Sequence, residues 1–176
     1  AYTPTMVQAA GLELTLGDHT LDASSLGQAS SPVCYLVVLD NSAEIEPADF
    51  RQMRGAVWQL IRHKEPNDQI ALYTLAGGAA CVQPATSDAS SLYTALAGIE
   101  QAEGAPDAAG APALLLGDIQ RDYQALAPRK AVFLCTAAAS LFRQPALLAG
   151  ASGAGTLNAA FYTFVGGPSP QALEVL

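Results

Sequence analysis

The chain has 176 residues, enough for one domain with a sizeable core and an appended segment. Apolar residues make up 51% and charged residues 14%, with eight Lys and Arg against sixteen Asp and Glu, a net charge of −8. That balance gives no electrostatic footprint for nucleic acid and no basic stripe for an anionic membrane, and it is too apolar for a disordered chain. No apolar run approaches the ~18 residues of a bilayer span, so no membrane insertion is expected of this segment. The start, residues 1–10, shows neither the basic nor the apolar region of a signal peptide.

Alanine supplies much of the apolar content, including the loop-like stretches 105–113 and 149–154, so periodicity is a weaker guide than usual. Leu12 to Leu16 alternates with period two and predicts a half-buried strand. Gly17-Asp18 offers a turn, and residues 19–23 return as a second short strand. Residues 24–31 are small and polar, a linker.

Val33 to Leu39 is apolar without alternation, as suits a strand covered on both faces of a parallel sheet. A helix starts at Glu46-Pro47, with Pro at its first position and Asp49 in its first turn. Phe50, Met53, Val57, Leu60 and Ile61 share one face, Trp58 lies beside that stripe, and Arg62, His63 and Lys64 close the last turn. Residues 69–75 form a strand, Gly77-Gly78 turns the chain, and residues 79–83 complete a hairpin. Thr86-Ser87-Asp88 caps a helix to about Ile99. A small-residue loop at 103–110, a helix at about 112–126 and an apolar strand at 131–135 follow. A short helix at 140–148, a loop at 150–155, a last strand at 158–165 and a terminating 166–170 complete the chain. The expected fold is α/β, a doubly wound, mostly parallel sheet with helices on both faces, one antiparallel edge strand and a short N-terminal β extension. The expected boundaries are an extension at 1–32, a domain at 33–167 and a tail at 168–176.

Cys34, Cys81 and Cys135 each fall in an apolar run and read as buried thiols acting as small hydrophobes. Their spacing fits no zinc motif, and the odd count argues against a disulfide framework.

In open α/β sheets, function gathers beyond the carboxyl ends of the strands, and Asp40 stands there in Asp40-Asn41-Ser42-Ala43-Glu44. The apolar strand ending in Asp-x-Ser precedes an amphipathic helix and a Pro-x-Asp turn. A strand reading Ile-Ala-Leu-Tyr, a hairpin and Thr-x-Asp before a helix complete the pattern, which resembles a von Willebrand factor A domain over about residues 33–165. The resemblance implies a Mg²⁺ site (the metal-ion-dependent adhesion site) built from an Asp and two hydroxyls after the first strand, a later Thr and a later Asp. Asp40 and Ser42 match the first two positions, and Glu44 stands at the third. Ala111 replaces the Thr, and Ala137, in Thr136-Ala137-Ala138, replaces the Asp. Mg²⁺ demands near-ideal octahedral geometry with hard oxygen ligands, which an alanine methyl cannot supply. Asp40, Ser42 and Glu44 are thus a remnant metal site. Asp107 would complete a different oxygen cage with them; otherwise Asp40 caps a backbone turn and Ser42 and Glu44 are solvated or helix-initiating residues.

No dinucleotide fingerprint or phosphate loop is present, and neither His19 nor His63 neighbours an activated nucleophile. Asp118 and Asp122, four residues apart, read as a solvated helix face. The resemblance implies a non-enzymatic, acidic module that binds a protein partner without a cofactor, in adhesion at the cell surface or outside the cell. The alternative is a small-ligand binder or enzyme on a Rossmann-like fold, using Asp40 and Glu44 at the strand end.

Overall fold

The computed structural model describes residues 14–16, 19–21, 31–107, 110–123, 129–138, 141, 153 and 159–165. The chain divides into two compact units, residues 1–30 and 31–176. The first contains an antiparallel pair, β1 (Leu14–Leu16) and β2 (His19–Leu21), with Leu14 opposite Leu21.

In the second unit the unbroken apolar run becomes β3 (Val33–Leu39), the middle strand of a five-stranded sheet. It pairs in parallel with β4 (Gln69–Thr74) on one side and β6 (Arg129–Thr136) on the other. β7 (Ala159–Val165) adds in parallel to β6, and β5 (Ala80–Thr86) adds antiparallel to β4. The order is β5-β4-β3-β6-β7, a mostly parallel sheet with one antiparallel edge and flanking helices. A middle strand has neighbours on both sides and layers on both faces. Cys34, Leu36, Val37, Val38 and Leu39 are all buried accordingly.

α1 (Pro47–His63) starts where Pro needs no amide partner, with Asp49 near its positive end and Arg62 and His63 near its negative end. Phe50, Met53, Val57 and Ile61 are buried at helical spacing, and Leu60 is half-buried at the stripe's margin. α2 (Ala89–Gly98) is capped by Asp88, whose carboxylate accepts from the backbone N–H of Ser90 at 3.2 Å and of Ser91 at 3.0 Å. Leu92 and Leu96 face inward from it.

Three elements run further than expected, β6 among them at Arg129–Thr136. β5 continues past Gln83 to Thr86, which pairs with Ile70, after register slips around Leu72. Pro84 is tolerated because β5 is an edge strand and needs no outward donor. α3 (Gly110–Asp118) begins before Pro112 and passes into a π-helical turn at Ile119–Tyr123. The expected end of that helix beyond Tyr123 lies outside the described residues. So do the short helix at 140–148 apart from Leu141, the loop at 150–155 apart from Gly153, and everything after Val165. Cys34 and Cys135 are buried free thiols, whereas Cys81 is only half-buried because it sits on the edge strand. Burial pushes the thiol of Cys34 up to about 11, partly offset by Lys130, and that of Cys135 up to about 12. Among the described residues, no helix is long and apolar enough to cross a membrane.

Candidate functional site

The site begins where β3 runs out. The backbone N–H of Asp40 still donates to the carbonyl of Cys135 at 2.8 Å, one step beyond the last β3–β6 pair. The chain then turns, and the Asp40 carboxylate is completely buried. One of its oxygens accepts from the backbone N–H of Ser42 at 3.0 Å. The other accepts from the hydroxyl of Thr136, at the end of β6, at 2.6 Å. Thr136 Oγ1 accepts in turn from the N–H of Ala138 at 3.0 Å. Asp40 therefore ties the ends of two neighbouring strands together, and each carboxylate oxygen has a partner within the chain.

Asn41 ties three further segments. Its side-chain oxygen accepts from the N–H groups of Leu75 at 3.3 Å and Ala76 at 3.0 Å, beyond β4. Its side-chain nitrogen donates to the carbonyl of Glu100 at 3.0 Å, beyond α2, while its carbonyl accepts from Ala102 at 2.8 Å. Two more bonds lie alongside, from Ala43 N–H to Gly104 and from the Gln101 side chain to the Ile45 carbonyl. Sequence reasoning missed Asn41 and Thr136. The available signal was their position: polar residues directly after fully buried strands must find partners there.

Ser42 is completely buried, and its hydroxyl finds no hydrogen-bond partner among the described residues. Glu44 lies exposed on the same turn. Asp107 is committed to a different task. Its carboxylate accepts from the N–H of Gly110 at 2.7 Å, at the start of α3, and from Ala79 at 3.4 Å. A Cβ on residue 110 would collide with that carboxylate, so any larger residue there would have to displace the Asp107 side chain. Ala111 is buried, and Ala137 is half-buried beside the Thr136 turn.

This donor set does not fit Mg²⁺. A hard octahedral ion needs several oxygens free to turn toward it. The turn offers the Asp40 carboxylate, already hydrogen-bonded on both oxygens, the buried Ser42 hydroxyl and an exposed carboxylate at Glu44, with methyl groups at Ala111 and Ala137. Among the described residues, no group of three or more His, Cys, Asp or Glu side chains is arranged to hold a metal.

A second polar cluster lies across the sheet. Asp118, expected on a solvated face with Asp122, is buried, while Asp122 is exposed. The Tyr73 hydroxyl from β4 donates to Asp118 at 2.8 Å, and Arg121 reaches its other oxygen at 2.6 Å. Tyr73 OH also lies 3.4 Å from Tyr123 OH. The Asp118 carboxylate can be buried because both of its oxygens are partnered. Burial, followed by the bonds to Tyr123 and Asp118, pushes the Tyr73 phenol well above its ordinary range.

Trp58 is 41% exposed and packs its ring against Tyr93 of α2 in a tilted arrangement, with centroids 5.5 Å apart. His63 is exposed at the end of α1. His19 lies in β2.

Solved structures share this fold at low identity. An aerotolerance-related membrane protein from Bacteroides fragilis NCTC 9343 superposes with a TM-score of 0.60 at 18% identity, covering 77% of this chain and 68% of that one. Proximal thread matrix protein 1 from the mussel byssus gives 0.62 at 11%, covering 82% and 41%. The vWF domain of the type V pili tip protein of Porphyromonas gingivalis gives 0.50 at 14%, covering 61% and 38%. No curated protein matches the sequence. The sequence profile of the von Willebrand factor type A domain matches residues 35–137, from the middle of β3 to just past β6. The match spans more than half of the chain and holds the Asp40 turn, so the chain belongs to the von Willebrand factor type A domain family.

Proposed function

We propose that this domain is a non-enzymatic protein-interaction module whose contacts do not run through a coordinated cation. The observation that supports this most is the Asp40 carboxylate, hydrogen-bonded on both oxygens by Ser42 and Thr136. Family membership supports the interaction role, and the alanines at 111 and 137 fit the same reading. The turn that elsewhere would hold an ion serves here as a cross-brace for β3, β4 and β6. Glu44 is exposed whereas Asp40 is buried. Structural neighbours named for a pilus tip and a mussel-thread matrix favour work in surface or extracellular assembly.

Photo-crosslinking tests this. The tagged chain would be crosslinked to proteins of its native source, in parallel with EDTA and with millimolar Mg²⁺. The same partners should be trapped in both. Partners trapped only with Mg²⁺ would overturn the cation-independent reading.

A further inference from the structure

The geometry points to a second functional surface: a groove between α1 and α2 that docks an acidic peptide segment of a partner protein carrying a bulky apolar anchor. This rests on the interaction-module reading and gives it a surface and a partner chemistry. The groove has a volume of about 490 Å³ and is lined by Arg51, Arg54, Gly55, Trp58, Tyr93 and Leu96, among others.

Three observations converge on it. The first is charge. Arg51 and Arg54 line the groove, and none of its lining residues is Asp or Glu. On a molecule of net charge −8, this face attracts what the rest repels. Arg54 is partly engaged, its guanidinium 5.7 Å from the Phe50 ring and 3.4 Å from the Ala97 carbonyl. Arg51 is exposed on the rim. A guanidinium presents five donors in a planar fork that matches a carboxylate, so both arginines keep capacity for one.

The second is the aromatic floor. Trp58 remains 41% exposed although it lies tilted against the Tyr93 ring and carries the Arg62 guanidinium at 5.5 Å from its ring. A large, held ring flanked by arginine is the composition of an interface anchor. The third is Gly55. It sits mid-helix and exposed, where glycine costs about 1 kcal/mol against alanine. A Cβ at this position meets nothing within 4 Å, so packing within this chain does not require glycine. The open space it leaves is groove floor, which suits an apolar side chain delivered from outside.

A random displayed peptide library selected on the whole chain tests the assignment. Trp58 is the only tryptophan, so its emission reports binding of a tryptophan-free peptide from the selected pool directly. Enriched peptides should combine clustered Asp or Glu with a bulky apolar residue, and binding should weaken with added salt. Arg51→Glu should weaken binding at least about tenfold. Gly55→Leu should block the floor while raising the melting temperature, which separates a filled groove from a damaged fold. Enrichment without acidic bias, or equal binding by both variants, would overturn the assignment. So would concentration-dependent dimerisation abolished by Arg51→Glu, which would seat a second copy in the groove. These failures would leave the cation test untouched, since none of these residues belongs to the Asp40 turn.

Discussion

The turn after β3 and the groove between α1 and α2 use polar groups in opposite ways. At the turn, Asp40 and Asn41 are buried and bonded to five backbone or side-chain donors and two carbonyls drawn from separate segments. In the groove, the arginines are exposed or half-exposed around an aromatic floor, with donors still open to an incoming acceptor. The same fold has therefore turned its strand-end polar residues into bracing and placed recognition chemistry on a helix face. Polar residues at the position a family uses for function do not by themselves mark function; their existing partners decide.

The sharpest way to break this contrast is Asp40→Ala. It leaves the Thr136 hydroxyl and the Ser42 N–H buried without their acceptor. We expect a loss of about 3 kcal/mol in urea unfolding, against almost none for Ser42→Ala, whose hydroxyl has no hydrogen-bond partner among the described residues. Equal costs for the two would show that the turn is not braced through the carboxylate.

Tyr73→Phe comes next, at about 1–2 kcal/mol, because it removes the hydroxyl bonded to buried Asp118. It carries a pH signature. The folded chain holds the Tyr73 and Cys34 protons more tightly than the unfolded chain does. Their contribution is complete below the ordinary values of 10.0 and 9.0 and is lost as pH rises above them. The urea midpoint should hold to about pH 9 and fall beyond it, less steeply in Tyr73→Phe. An alkaline limb identical in both proteins would contradict the Tyr73 assignment.

The smallest effect is expected in the groove. Arg51→Ala should change stability by less than about 0.5 kcal/mol, since Arg51 is exposed. A loss as large as that of Tyr73→Phe would make the groove a structural element instead of a surface kept open.

The framework was legible in the sequence wherever a signal was local. The unbroken run from Val33 to Leu39, the 50-53-57-61 spacing of α1 and the Asp88 cap each encode their own element. What was not legible depends on contacts distant in sequence. Asp118 reads as solvated beside Asp122, and only Tyr73, 45 positions earlier, shows it to be buried. The value of Asn41 lies in loops 34 to 59 residues away. Asp40, Ser42 and Glu44 are close in sequence, but the Thr136 bond that engages Asp40 spans 96 positions. The openness of the Trp58 groove follows from how α1 meets α2, which helical periodicity in either one does not report.

Isothermal titration of the chain with Mg²⁺, alongside the Asp40→Ala variant, tests the central claim most directly. The account predicts no saturable heat in either protein and an unchanged melting temperature in EDTA. A saturable heat in the parent chain that vanishes in Asp40→Ala would contradict it.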